Sequence, residues 1–287
     1  MRKTSLFFPA AIAFLVAGAG ALAAESQQVL VEPVRDSGQS VTAAFEGWFA
    51  NTDGSFSLLF GYLNRNRNEV LDIPVGPNNR MEPGGPDQGQ PTHFLPRRQW
   101  GVFTVTVPKD FGSKKLTWTI TANGVTTSVP GTLDALWEVS PFVNAQNNTP
   151  PFVGFAENGP FVQGPRGTST SLKAVVGTPL PITIFAADDA VAAGSPPRSP
   201  AAVLLLTKLR GPGEVKISNS RPAVEPASFT APPKTTFQGK ASTVATFSEP
   251  GEYVLRVQAN DWTGEGGKGF QCCWTNAQVR VSVSTAK

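Results

Sequence analysis

Glycine and proline recur so often along this chain that long helices are excluded. The 287 residues include 28 glycines and 26 prolines, together well above the average share of about 12%. Proline removes a backbone donor and glycine destabilises a helix interior, so both residues end regular elements early. Hydrophobic residues make up 40% of the chain and charged residues only 16%, a balance that excludes an intrinsically disordered chain and a coiled coil. The composition predicts an all-β, turn-rich globular protein.

The first residues have the pattern of a secretory signal peptide. Arg2 and Lys3 precede an apolar run over 6–16, and small residues follow. We therefore predict that residues 1–24 are a cleaved signal peptide, that Glu25 begins the mature chain, and that the protein is secreted or periplasmic. The apolar run is short for a membrane anchor, and no later segment approaches about 20 apolar residues, so no membrane span is expected.

The charge balance argues against nucleic acid as a partner. The formal net charge is +3, from 24 basic and 21 acidic residues. Removal of the signal peptide takes away Arg2 and Lys3 and leaves +1. A nearly neutral chain lacks the basic footprint that binding to a polyanion such as nucleic acid requires. A protein or a glycan at the cell envelope is the expected partner.

Strand-like runs and tight-turn dipeptides predict a first β-sandwich. Asp53-Gly54 lies between runs at 45–50 and 55–63, and Asn123-Gly124 divides another pair of runs. These dipeptides accept the positive φ angles that tight hairpin turns need. We predict an N-terminal β-sandwich domain over residues 25–139.

Two segments rich in proline and glycine interrupt the strand pattern. Residues 76–98 follow a predicted strand at 68–75 and show no regular element, so we expect a long loop that is either functional or poorly ordered. Residues 140–170 are rich in Pro, Gly and Asn and are interpreted as a linker between domains. Short strands separated by turn signals then resume and predict a second β-sandwich over 171–287.

The second predicted domain resembles the PKD-like and related immunoglobulin-like domains of bacterial extracytoplasmic proteins. The resemblance is carried by RGPGEVKIS at 210–218 and TVATFSEPGEYVLRVQAND at 243–261. It implies an Ig-like sandwich with Tyr253 near the start of a strand, where related sandwiches have a tyrosine corner. The family usually has a Trp in its third strand, and 204–207 has none. The segment 56–98 is similar to uncharacterised exported bacterial proteins, and this resemblance gives no information about activity.

Cys272 and Cys273 are adjacent, and the chain has no other cysteine. Paired cysteines in an oxidising compartment usually form a disulfide. Neighbouring Cα atoms across a trans peptide are about 3.8 Å apart, which is closer than most disulfides allow. Two interpretations stay open, a strained vicinal disulfide or two free thiols on one strand. The spacing argues against a zinc site.

Carboxylates in and before the 76–98 loop form a candidate cation site. They are Asp72, Glu82 and Asp87. Calcium takes about six to eight oxygen ligands from flexible loops, and it is the one cofactor that the sequence suggests. The alternative is that these carboxylates form salt bridges with Arg80, Arg97 or Arg98.

Binding candidates come from the same loop and from the tryptophans near the C-terminus. They are His93, Arg97, Arg98, Trp262 and Trp274. His93 is the only histidine, and no G-x-S-x-G motif supplies a nucleophile for it. Trp262 and Trp274 flank a glycine-rich loop and the cysteine pair, and tryptophan rings anchor interfaces and stack on sugars.

The sequence thus predicts two Ig-like β-sandwich domains in tandem after a signal peptide. The expected function is that of a non-enzymatic exported binding or structural protein of the cell envelope. Two alternatives stay open. One is a glycan-binding module that uses the 76–98 loop and nearby tryptophans, and the other is a hydrolase built on that loop.

Overall fold

A computed structural model describes residues 35–145, 147–167, 169–189, 202–261 and 272–285. The predicted signal peptide and Trp262 lie outside these ranges. Within them the regular elements are strands, apart from one 3-10 turn at Ala135–Trp137, which confirms the all-β class. The described part of the chain has no helix long and apolar enough to cross a membrane.

Eight strands form the first sandwich, which we define as residues 41–131. They are β1 (Val41–Ala50), β2 (Phe56–Asn64), β3 (Leu71–Asp72), β4 (Asn79–Glu82), β5 (His93–Phe94), β6 (Arg97–Val107), β7 (Leu116–Ala122) and β8 (Val125–Gly131). One sheet has the order β1-β2-β6 and the other β4-β7-β8, while β3 and β5 pair separately. The hairpins β1-β2 and β7-β8 are antiparallel, and their turns contain Asp53-Gly54 and Asn123-Gly124, as predicted.

Aromatic side chains fill the space between the two sheets of the first sandwich. The ring of Trp118 is fully buried and meets Phe103 edge-on at 5.1 Å between centroids. Phe60 stacks on Phe103 with centroids 5.5 Å apart. Each buried apolar side chain of this size contributes about 1.5–3 kcal/mol relative to exposure. Trp118 also donates its indole N–H to Asn79 Oδ1 at 3.0 Å, which satisfies its polar atom inside the core.

Nine strands form the second sandwich, which we define as residues 152–284. They are β9 (Phe152–Gly154), β10 (Ser169–Val175), β11 (Leu180–Asp188), β12 (Val203–Arg210), β13 (Val215–Ile217), β14 (Glu225–Pro226), β15 (Phe237–Phe247), β16 (Gly251–Asn260) and β17 (Trp274–Ser284). One sheet has the order β10-β17-β16-β12 and the other β13-β15-β11-β9, with β14 also on β15. Strands β10 and β17 run parallel, and the other pairs are antiparallel.

Tyr253 forms the tyrosine corner that the resemblance implies. Its ring is buried and packs 4.8 Å from the ring of Phe247, centroid to centroid. Its hydroxyl donates to Glu249 O at 2.9 Å and accepts from Gly213 N at 3.0 Å. The side chain therefore fastens both the chain entering β16 and the Gly-Pro-Gly turn to one core.

The 76–98 segment is more regular than predicted. It contains β4, β5 and the start of β6, whereas the strand predicted at 68–75 shortens to Leu71–Asp72. Two buried amides replace the missing ladder bonds. Asn79 Nδ2 donates to the carbonyls of Ile73 and Pro91 at 2.9 and 2.8 Å, and Gln90 Nε2 donates to Pro86 O at 2.5 Å. Buried side-chain donors thus pair the carbonyls of a proline-rich chain.

The 140–170 segment also contains regular structure. Strand β9 lies inside it and pairs with β11 as the last strand of a sheet of the second sandwich. Residues 34–287 form one compact unit. The division into domains over 25–139 and 171–287 stays a prediction.

Candidate functional site

Some of the polar residues singled out in the sequence lie where the first sandwich meets β12, β16 and β17. Asp72 and Asp87 pair with residues of β12, and His93 lies beside Asp72. Leu209 of β12 belongs to the hydrophobic core of the first sandwich, and Val254 of β16 packs against that core. The N–H of Thr92 donates to Leu209 O at 3.1 Å. The contact between the sandwiches therefore combines apolar packing, backbone hydrogen bonds and the charged groups described next.

His93 and Asp72 face each other on the paired strands β3 and β5. His93 Nδ1 lies 2.9 Å from Asp72 Oδ1. The same carboxylate oxygen lies 3.2 Å from Nζ of Lys208, whose side chain is only 5% exposed. A buried ammonium group requires a paired charge, so Asp72 serves as the counter-ion of Lys208 and joins β3 to β12.

The other two carboxylates of the candidate cation site have partners of their own. Glu82 pairs with Arg80 at 3.0 Å, as the salt-bridge alternative predicts. Asp87 pairs with Arg210 of β12 through two contacts at 2.8 and 3.1 Å. The hydrogen bonds from Arg210 lower the pKa of Asp87. The structure does not bring Asp72, Glu82 and Asp87 together, and among the described residues no group of three His, Cys, Asp or Glu side chains could hold a metal ion.

Arg98 forms a half-buried ion pair with Glu46. Its guanidinium contacts the carboxylate of Glu46 on β1, donates to Tyr62 O at 3.1 Å, and lies 3.8 Å from the centroid of the Trp100 ring. Glu46 also accepts from Gly101 N at 2.5 Å. Burial raises the pKa of Glu46, while Arg98 and the Gly101 hydrogen bond oppose that increase. Arg97, in contrast, is exposed, so the two adjacent arginines do not form one binding surface.

Gly101 lies at a close, polar contact between the two sandwiches. Its carbonyl accepts from Asn276 Nδ2 at 2.7 Å and from Arg256 Nη2 at 3.1 Å. Arg256 also donates to Asn276 Oδ1 at 2.9 Å and to Trp100 O at 3.2 Å. Arg256 and Asn276 are both buried, so these hydrogen bonds satisfy charged and amide groups that water does not reach.

Trp274 is not available as a surface anchor. Its side chain is 2% exposed, and the indole packs on the backbone of Gly101. The expected role in surface binding fails for this residue because the first sandwich covers the face of β17 on which it lies. The other tryptophan of the proposed pair, Trp262, lies outside the described residues.

Cys272 and Cys273 are joined by a disulfide, and the peptide bond between them is cis. Both residues are buried. The sulfur of Cys273 lies 3.3 Å from Asn148 O, and that of Cys272 lies 3.9 Å from the same carbonyl. The pair directly precedes β17 and contributes to the packing at that end of the second sandwich.

Sequence reasoning missed Glu46, Arg256 and Asn276. Arg256 and Asn276 occupy the outward phase of alternating strands, a position that normally indicates contact with solvent. Because the first sandwich covers that face, Arg256 and Asn276 are buried instead of exposed to solvent. For Glu46 a local signal exists, since the residue interrupts an aromatic strand between Phe45 and Trp48. A carboxylate at such a place calls for a buried cation.

No protein-family model and no curated protein sequence matches the chain. Among solved structures, domains 4 and 5 of the S-layer protein SbsC align with 10% identity and a TM-score of 0.23, covering 85% of this chain and 98% of that one. The PapD-like domain 7 of human CEP192 aligns with 11% identity and a TM-score of 0.25, over 52% of this chain and 94% of that one.

A protein of unknown function from Porphyromonas gingivalis W83 aligns with 10% identity and a TM-score of 0.23, over 85% of this chain and all of that one, 100%. At TM-scores this low, the alignments support no conclusion about the fold or function of this chain. The β-sandwich assignment rests on the strand pairing and the two cores described above.

Proposed function

We propose that this chain is a non-enzymatic, exported protein of the cell envelope, in which two joined β-sandwiches act as a binding or structural module. One observation carries the proposal. Lys208 and Arg210 of β12 both pair with carboxylates of the first sandwich, Asp72 and Asp87, which lie 136 and 123 residues earlier in the chain. Asp72 and Asp87, which the sequence suggested as cation ligands, instead join the two sandwiches through ion pairs.

The surroundings of His93 support the same conclusion. A hydrolytic base needs a carboxylate that orients its imidazole and stabilises its charged form. The only carboxylate paired with His93 in the described chain also neutralises the buried ammonium of Lys208. Because Asp72 also pairs with Lys208, this carboxylate links the two sandwiches, and β5 places His93 next to Asp72.

Localisation and partner follow from the sequence. The signal-peptide pattern at 1–24 supports secretion or a periplasmic location, and the near-neutral mature chain favours a protein or a glycan over nucleic acid. Of the two alternatives, the glycan-binding module was placed in the 76–98 loop and nearby tryptophans, whereas the polar cleft described in the next subsection has only Gly89 from that loop and no tryptophan in its lining. The hydrolase alternative depends on His93.

The test combines export and turnover. The full chain is produced in a bacterial host, the cells are fractionated, and the N-terminus of the product is determined. We expect a mature protein that begins at Glu25 in the periplasm or the medium, with no turnover of ester, peptide or glycoside substrates. An uncleaved cytosolic product contradicts the export proposal. Turnover that disappears in His93→Ala and persists in Arg97→Ala contradicts the non-enzymatic assignment.

A further inference from the structure

A cleft of about 470 Å³ opens between β6 and the outer face of the sheet β10-β17-β16-β12. Thr104 of β6 forms one wall, and Gln278 and Arg280 of β17 form the opposite wall. Arg166 and Arg210 complete a set of three arginines around the cleft. Among the described residues that line it, none is an aspartate or a glutamate.

The pairing of β17 fixes Gln278 and Arg280 on one face. Gln278 pairs with Arg256 of β16 and Ser169 of β10, and Arg280 pairs with Val254 and Ser171. Residues two apart on a strand point to the same side and lie about 7 Å apart. The two side chains therefore stand in line along the cleft, supported by neighbouring strands on both sides.

The backbone around Arg166 is held against β17. Gly167 has a φ of +73°, and a β-carbon at this position would lie 2.6 Å from Asn276 O. Only glycine allows this close approach. On the other side of Arg166, Asn276 Nδ2 donates to Pro165 O at 3.3 Å. Arg166 thus extends from a fixed point beside Gln278 and Arg280.

The charges in the cleft are only partly compensated. Arg210 is neutralised by Asp87 and donates its Nε–H to Gln90 O at 2.6 Å. Arg166 and Arg280 are exposed, and within the described chain neither forms a salt bridge. The charge of Arg166 also helps to lower the pKa of Asp53, although the hydrogen bonds from Ser55 lower it more.

We propose that this cleft binds an oligosaccharide that carries carboxylate groups. Guanidinium groups pair with carboxylates through two parallel hydrogen bonds, which suits Arg166 and Arg280. The amide of Gln278 and the hydroxyls of Thr104 and Ser169 match the hydroxyl groups of sugar rings. The mixture of cations with neutral polar groups favours an acidic glycan over an acidic peptide. The inference rests on the proposed function, because it names the ligand class of the same binding module.

The test measures binding of oligogalacturonate to the exported protein by calorimetry at low ionic strength. The variants are Arg166→Gln and Arg280→Gln, and the matched control is Arg97→Gln, which removes the same charge outside the cleft. Because the two cleft side chains are exposed, we expect all three variants to keep the wild-type Tm. We expect binding to weaken at least about tenfold in each cleft variant, as the loss of a charge-assisted pair implies. We expect no change in the control and no binding of a neutral oligosaccharide of equal length.

Four results overturn the proposal. Oligogalacturonate fails to bind, or the control loses as much affinity as the cleft variants, or the neutral oligosaccharide binds equally well. Binding of poly-glutamate in place of oligogalacturonate, with the same dependence on Arg166 and Arg280, assigns the cleft to an acidic peptide and also overturns it. The experiment uses purified protein, so its failure leaves the export and turnover tests of the proposed function untouched.

Discussion

The indole of Trp274 lies against the backbone of Gly101, so that a β-carbon at that glycine would be 2.7 Å from Cε2 and 2.9 Å from Nε1 of the ring. This contact joins the beginning of β17 to β6. The carbonyl of the same glycine accepts hydrogen bonds from Arg256 and Asn276. Position 101 therefore has steric and polar reasons to be glycine, and a substitution there tests the contact between the sandwiches directly.

We expect Gly101→Ala to lower the free energy of unfolding by about 2 kcal/mol more than a positive φ angle alone would, because the added methyl group overpacks the contact with Trp274. Gly112→Ala is the matched control. Its φ is +55° against +50° for Gly101, and the nearest atom to a new β-carbon is Asp110 O at 3.9 Å. The control variant is destabilised only by the backbone strain of a positive φ angle, about 1 kcal/mol. Guanidinium unfolding of both variants measures the difference, and equal losses would contradict the packing argument.

Because Arg98 pairs with Glu46, we expect replacement of Arg98 to lower the free energy of unfolding by an amount that depends on pH. Burial raises the pKa of Glu46. A carboxyl whose folded pKa lies above its unfolded value favours folding when protonated, and that advantage is lost as pH rises through the folded pKa. Arg98→Gln removes a cation that lowers this pKa, although Arg256 still acts on it. We expect a loss of about 3 kcal/mol at pH 7 and a smaller loss at pH 5.

Urea unfolding of wild type and Arg98→Gln at the two pH values measures this effect. The control is the double variant Glu46→Gln with Arg98→Gln, which has no carboxylate to titrate at position 46. Its loss relative to wild type should not grow in the same way between pH 5 and pH 7. A loss in Arg98→Gln that is the same at both pH values would show that Glu46 does not carry the effect.

The salt bridge between Asp87 and Arg210 predicts a smaller effect with the opposite pH dependence. The pKa of Asp87 is lowered, so its stabilisation is present above the unfolded pKa and is lost as pH falls through the folded value. Because the carboxylate is more than half exposed, we expect Asp87→Asn to cost about 1 kcal/mol or less at neutral pH. The difference from wild type should shrink as pH falls below the unfolded pKa of about 3.9 and should vanish once the pH lies below the lowered folded pKa.

Glu82→Gln is the matched control for Asp87→Asn. Glu82 pairs with Arg80, two residues away on the same strand, whereas Asp87 reaches across to β12. We expect thermal unfolding to be little changed in Glu82→Gln and to begin at a lower temperature in Asp87→Asn. Equal effects of the two changes would mean that the link across the sandwiches contributes no more than a local surface pair.

Local signals in the sequence were sufficient for much of the fold. Asp53-Gly54 and Asn123-Gly124 mark real hairpins because a tight turn depends on a few adjacent residues. The same holds for Tyr253, whose hydroxyl bonds to Glu249 four residues earlier. In each case the structure is determined over a short stretch of chain.

Longer-range relations were beyond sequence reasoning. Asn79 and Gln90 lie in a stretch whose residues are typical of exposed turns. Both side chains are nevertheless buried and donate hydrogen bonds to carbonyls of the proline-rich segment. Trp274 was expected at the surface, but the face of β17 on which it lies is covered by β6. Lys208 finds its partner 136 residues away. An alternating pattern shows which side of a strand is polar and cannot show that another sandwich covers that side.

The cysteine pair yields the last prediction. Cys272 and Cys273 are 5% and 1% exposed and are bonded to each other. We expect the exported protein to have the mass of the mature chain less two hydrogens. Because the bridge occupies both thiols, an alkylating reagent should add nothing under denaturing conditions until a reductant is present. Intact mass spectrometry before and after reduction measures this. Cys273→Ser is the matched control, since its remaining thiol should be alkylated in denaturant without reductant. Alkylation of two thiols in the denatured, unreduced wild type would show that the bridge is absent from the exported protein, and would leave the two-free-thiol alternative in its place.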